Sequence, residues 1–166
     1  HRVDRRQRQM CIRDRQSVSI TGFPDAELLN FDKSDVLSFP LMKHLFIGSW
    51  YAREGLKFSF VYPLLGLTPS LTHLSLQHCY NLDQDPTKLR SLPQMCPHLK
   101  TLDLTGCVLV SASSLAPLAK LTHLTKLVLH RLKVVGEDEL LDFDWFVSDV
   151  VLKLRSLESW SIEDPT

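Results

Sequence analysis

The sequence predicts an α/β solenoid, with a curved parallel sheet on its concave side and helices and irregular segments on its convex side. Three observations predict it. The first is an apolar spacing that returns along the chain, clearest as Leu71/Leu74/Leu76/Cys79, Leu99/Leu102/Leu104/Cys107 and Leu124/Leu127/Leu129/Leu132. Weaker copies read Met42/Leu45/Ile47/Trp50, Leu157/Trp160/Ile162/Pro165 and, without a first position, Val18/Ile20/Phe23. The second is the period: fourth positions fall at 18, 45, 74, 102, 127 and 160, at intervals of 27, 29, 28, 25 and 33 residues, which is the range of stacked repeat units. The third is that each copy is followed by a stretch long enough for the crossover that parallel strands require.

The first fifteen residues stand outside this pattern. The run Arg5-Arg6-Gln7-Arg8-Gln9-Met10-Cys11-Ile12-Arg13-Asp14 resembles the conceptual translation of a transposase adaptor used in sequencing-library preparation. His1 to Asp4 fit the index stretch of such an oligonucleotide, and Arg15 spans the junction. Segments of that origin are excluded from fold reasoning, so residues 1–15 are expected to be non-native and disordered, and residues 16–166 to form a domain of five to six repeats. The competing reading is a basic arm for nucleic acid or an anionic membrane. It is the weaker one, because ten consecutive residues match the adaptor while a basic patch can be written in countless ways. The Val18 unit loses its first apolar position at Arg15, and neither end carries an obvious polar cap, so an interior slice of a longer array is expected.

Within each unit, positions four and six share a parity, so their side chains fall on one face of a short strand and point into the core. Positions three, five and seven then face the other way. The crossovers read as helices in the better-defined units. Asp85-Pro86-Thr87 offers a cap followed by proline at the first helical position, and Leu89, Leu92 and Met95 recur at helical spacing until Cys96-Pro97 ends the helix. Leu115, Leu118 and Leu121 repeat the pattern, with Pro117 tolerable only in a first turn. Val150, Val151, Leu154 and Leu157 repeat it again. Between Tyr51 and Leu67 the alternation of Phe58, Phe60 and Tyr62 reads instead as strand.

Setting residues 1–15 aside changes the charge. Lys+Arg falls from 19 to 13 and Asp+Glu from 19 to 17, leaving a formal net charge of −4 instead of zero. A mildly acidic chain has no general pull toward nucleic acid or anionic lipid, and no apolar run is long enough to span a membrane. Of the remaining cysteines, Cys79, Cys96 and Cys107, two occupy the ninth position, where a small thiol suits a tight buried corner. Their odd number and irregular spacing argue against a disulfide framework or a zinc site, and for a reducing compartment, cytoplasmic or nuclear.

The phrase from Leu92 to Cys107, with Cys96-Pro97-His98-Leu99-Lys100-Thr101-Leu102-Asp103-Leu104 at its centre, resembles the cysteine-containing class of leucine-rich repeats. The resemblance implies a protein-binding scaffold, and more finely the substrate-recognition part of an F-box-type ubiquitin ligase. The periods are longer than that class prefers, Leu132 and Trp50 replace its ninth-position cysteine, and nothing in the chain reads as an F-box. A receptor or signalling module without a ligase link is therefore the alternative.

The default partner surface is the set of variable positions on the strands. Position three supplies His44, His73, Thr101 and Lys126, position five Phe46, Ser75 and Asp103, and position seven Gln77 and His130. Phe46 is the one aromatic among them and the expected anchor. His44 and His73 fall at the same position of adjacent strands, but no third ligand accompanies them, so no metal or other cofactor is expected. The acidic and aromatic stretch from Glu137 to Phe146 reads as a helix start with its acids toward the dipole and its aromatics in the core. No phosphate loop, nucleophile elbow or other catalytic constellation is legible, so no enzyme is expected. The expectation is a monomeric module within a larger chain that binds another protein, and neither nucleic acid nor membrane.

Overall fold

The computed structural model describes residues 16–21, 39–48, 56–80, 86–109, 111–135 and 142–163. The adaptor-like segment 1–15, Trp50 and the run Glu137-Asp138-Glu139 lie outside them. The strands are β1 (Ser17–Thr21), β2 (His44–Gly48), β3 (Leu56–Lys57), β4 (His73–Gln77), β5 (Cys79–Tyr80), β6 (Thr101–Asp103), β7 (Val108–Leu109), β8 (Lys126–His130), β9 (Lys133–Val134) and β10 (Ser159–Glu163). The α-helices are α1 (Phe58–Leu65), α2 (Pro86–Met95) and α3 (Phe143–Asp149), joined by 3-10 helices at Ala112–Lys120 and Val151–Lys153.

The architecture is α/β, built on a six-stranded sheet of order β1-β2-β4-β6-β8-β10 in which every pairing is parallel. Its register follows the repeat. Val18, Leu45, Leu74, Leu102, Leu127 and Trp160 are mutual partners across the sheet, so the fourth positions of all six units form one row. Because side chains alternate along a strand, fixing this row fixes every other one. In the inner units the leucines and isoleucines of positions four and six are buried, as are Met42, Leu71, Leu99 and Leu124 at position one. At about 2 kcal/mol for each large aliphatic side chain removed from water, these rows are the main source of stability.

Backbone hydrogen bonds repeat with the same period. One carbonyl just before each strand accepts two amides from the next unit: Gln16 O from Lys43 and His44, Lys43 O from Thr72 and His73, Thr72 O from Lys100 and Thr101, Lys100 O from Thr125 and Lys126, and Thr125 O from Glu158 and Ser159. Strands β2, β4, β6, β8 and β10 are each approached through a turn in which the position-one amide bonds the carbonyl three residues earlier, on Phe39, Thr68, Cys96, Leu121 and Leu154 in turn. All five of those residues are buried, and the one hydroxyl among them, on Thr68, donates to Leu65 O at 3.1 Å. Cys96 therefore occupies a structural row of its own.

The helices cover the leucine face. Leu89 and Leu92 of α2, Leu115 and Leu118 of the first 3-10 helix, and Phe146 of α3 join the strand residues in a single core, and these three helices pack in chain order, one against the next. Pro86 opens α2 and Cys96 follows its end, as the sequence predicts. Three expectations are revised. Residues 58–65 form a helix, not a strand, because burial of Val61, Leu64 and Leu65 follows the i, i+3, i+4 pattern and outweighs the local aromatic alternation. The segment with Leu115 and Leu118 winds as a 3-10 helix capped by Ser111, with Pro117 well past the first turn. A proline there removes the amide that an α-helix would use and crowds the preceding turn, while the three-residue spacing of Leu115, Leu118 and Leu121 suits a 3-10 winding. The last helix begins before the Val150 pattern, at Phe143, where Asp142 Oδ1 accepts from Trp145 N at 3.0 Å. That cap and the full burial of Phe146 match the reading of this stretch as a helix start with its aromatic in the core.

One backbone feature was hidden in the sequence. At position eight, where the chain turns from the strand toward the buried ninth residue, His78, Gly106 and Arg131 have φ of 56°, 67° and 53°. Glycine marks only one of three equivalent left-handed sites.

Candidate functional site

The strand face opposite the core carries the nine candidate residues, and the structure sorts them into three groups. Register places His44, His73, Thr101 and Lys126 side by side at position three, and Phe46, Ser75 and Asp103 at position five. Gln77 and His130 lie at the far end of their strands.

The first group is at the strand starts. The rings of His44 and His73 are 4.3 Å apart between centroids and tilted by 39°. The Thr72 hydroxyl donates to Lys43 O at 3.0 Å, and its oxygen lies 2.8 Å from His73 Nδ1. Burial lowers the proton affinity of His73, and the neighbouring His44 and Lys100 lower it further. Among the described residues no group of three or more His, Cys, Asp or Glu side chains is placed to hold a metal ion.

The second group centres on Asp103. Its Oδ2 accepts from Gln77 Nε2 at 3.0 Å and Ser75 Oγ at 3.3 Å, and its Oδ1 from Thr105 N at 2.9 Å and Thr105 Oγ1 at 2.6 Å. Burial of the carboxyl raises its pKa, but the hydrogen bonds from Thr105, Gln77 and Ser75 together outweigh it and hold the group below its ordinary range. The bond to Thr105 N is an Asx turn, which takes that amide out of the strand ladder, while Leu104 N and Gly106 N still bond Val128 O and His130 O of β8. Thr105, at position seven of the same unit, completes the network. Phe46 lies beside it. The ring is half-buried and covers Gly48 of its own strand, where an added Cβ would sit 3.2 Å from Phe46 Cε1. Its register neighbours are Ser19 and Ser75, two small residues.

The third group joins His130 to the last strand. His130 Nε2 lies 2.8 Å from Ser161 Oγ, and its Nδ1 is 3.7 Å from Glu163 Oε2. The order serine, histidine, carboxylate is that of an acyl-transfer triad. The carboxylate contact exceeds hydrogen-bond length, however, so it does not orient the imidazole as a triad would.

The cysteines have no role on this face. Cys79, Cys96 and Cys107 are buried free thiols. Cys107 donates to Leu76 O of the neighbouring unit, and burial, then its hydrogen bond with Cys79, raises its pKa well above the ordinary value. Burial alone pushes Cys96 up to about 12. Thiols held protonated away from water are poor nucleophiles and poor metal ligands.

The sequence reading missed the residues flanking the variable positions. Lys43 and Lys100, at position two, are exposed beside the histidine pair, and His98 and His123, each just before position one, bring their rings to 6.1 Å. The signal was present in the spacing: Lys43 and Lys100 share position two, and His98 and His123 share the place before position one. No helix among the described residues is long and apolar enough to cross a membrane. Compared with known proteins, the chain matches no family model and no curated sequence.

Proposed function

We propose that this chain is a leucine-rich-repeat solenoid that binds another protein on the variable face of its parallel sheet. The observation that carries the reading is the common register of the six fourth positions. It turns the leucines of every unit to one side and collects the variable residues on the other, where they are free of packing duties. The buried Cys79 and Cys107 at position nine, and Cys96 at the turn before position one, agree with the cysteine-containing class. That class suggests the finer setting, substrate recognition for an F-box-type ubiquitin ligase. Binding is favoured over catalysis because the thiols of Cys96 and Cys107 are buried and held protonated and the Asp103 carboxylate is already engaged by hydrogen bonds to both its oxygens.

The test is affinity purification with the chain as bait, quantifying each recovered protein against surface variants. Phe46→Ala combined with Gln77→Ala is expected to reduce recovery of the cognate partner at least about tenfold, as loss of a central aromatic anchor does. Arg90→Ala, exposed on α2, is expected to leave it unchanged. Recovery that survives the first pair and is lost with the second sinks the proposal.

A further inference from the structure

The strand starts concentrate positive charge on a chain that is otherwise acidic. Lys43, Lys100 and Lys126 are exposed, and among the described residues none has a carboxylate within ion-pair distance, whereas Lys153 is paired with Asp149 at 2.7 Å. Lys43 and Lys100 flank the tilted pair His44 and His73, and Lys126 lies two strands beyond His73. The exposed imidazoles of His98 and His123 flank the row on the side away from the sheet. Glu158, in the last unit, is the only acid at the corresponding positions of the described units. With residues 1–15 set aside the chain carries −4, so this rim reverses the sign of the molecule around it.

We propose that the rim formed by Lys43, His44, His73, Lys100 and Lys126 docks a carboxylate-rich segment of the partner protein, laid across the strands. The assignment rests on the variable face being the binding face and names the chemistry of what binds there. Charge complementarity selects the occupant. Unpaired lysines in a row attract an acidic chain and repel a basic one, and they steer encounter as well as hold the complex. From β2 to β8 the rim crosses three strand spacings, about 14 Å, which is the reach of four or five residues of extended chain. The aliphatic stems of the lysines and the faces of the imidazoles give such a segment apolar contact beside its ion pairs. The Asp103 cluster lies further along the same strands and sets a limit, because its negative charge disfavours an acidic ligand extending past position four.

The experiment titrates the full 15N-labelled chain with hexaglutamate, and with hexaglutamine as the uncharged probe, following amide shifts by NMR. Hexaglutamate is expected to move the amides of Lys43, His73, Lys100 and Lys126, with an affinity that falls as salt is raised; hexaglutamine is expected to move none of them. The variant K43Q/K100Q/K126Q is expected to weaken binding at the rim about tenfold, three exposed ion pairs each contributing modestly. K120Q/K133Q/K153Q, which removes the same charge elsewhere, is expected to change it less than about twofold, since distant exposed charges are screened. All variants keep the six arginines of the first fifteen residues, so their difference reads the rim alone. Shifts confined to residues 1–15, equal shifts with hexaglutamine, or equal losses in both triple variants overturn the proposal. If hexaglutamate leaves the rim unmoved while Phe46→Ala with Gln77→Ala still abolishes partner capture, only the acidic ligand is wrong. If that pair has no effect, the binding face itself is wrong.

Discussion

Replacing Gly106 by alanine tests the turn that follows each strand. Two costs add. The backbone there has φ of 67°, a conformation that costs a residue with a Cβ about 1–2 kcal/mol. The new methyl would also enter the His78 imidazole of the preceding unit, 2.5 Å from Cε1 and 3.1 Å from Cγ, and forcing atoms into such a site costs about 1–3 kcal/mol. The single variant is therefore expected to lose about 2–5 kcal/mol in urea unfolding followed by circular dichroism. In a His78→Ala background the ring is gone and only the backbone cost remains, so Gly106→Ala should then lose about 1–2 kcal/mol. The double-mutant cycle isolates the contact between units. Equal losses in the two backgrounds would mean that the close approach is not what requires glycine. A loss below about 0.5 kcal/mol in the wild-type background would refute the left-handed turn as well.

Further outcomes follow from the polar face and the core. Asp103→Asn is expected to cost about 1 kcal/mol at pH 7, after allowing for solvent screening of a half-exposed carboxylate, because the amide cannot accept at both ends. The folded state holds Asp103 ionised below its ordinary range, so its contribution is complete above that range and is lost as pH falls through the lowered pKa; the deficit of the variant should narrow on acidification, and a deficit that widens would contradict this. His73 has the opposite acid–base form. Its lowered pKa means that the unfolded chain takes up the proton first, so stability should fall as pH drops below about 6.5, and His73→Gln should flatten that slope. An NMR titration placing His73 at or above the ordinary histidine value would overturn the assignment of burial, His44 and Lys100 as its causes. Peptide-resolved alkylation at neutral pH should leave Cys79, Cys96 and Cys107 unmodified in the folded chain and label all three in urea. Labelling of Cys107 without unfolding would contradict its place in the core.

Sequence alone determined the six strands of the main sheet and their register, but not the four two-residue strands β3, β5, β7 and β9. Six fourth positions, read from spacing, are the row that the sheet aligns, because with a two-residue side-chain period and a single buried face any one-residue slip would turn the leucines to water. It also determined α2, where Pro86 and Cys96-Pro97 bracket a helical pattern with strong local signals. It put His44 beside His73, since register alone does that. Only tertiary structure decided the remainder. Residues 58–65 form a helix because the core accepts Val61, Leu64 and Leu65 together, which a window of alternating aromatics does not reveal. His78 and Arg131 take a left-handed turn that local preference would give to glycine, because the ninth residues that follow them, Cys79 and Leu132, must reach the core. Asp103 looks in sequence like one more exposed acid. Of the four hydrogen bonds it accepts, those from Ser75 and Gln77 form only once the strands are side by side. The lysines at the rim acquire their meaning in the same way: Lys43 and Lys100, 57 positions apart in the chain, come within two strand spacings, about 10 Å, and Lys100 and Lys126 lie on adjacent strands, and only then do they add to a charged surface.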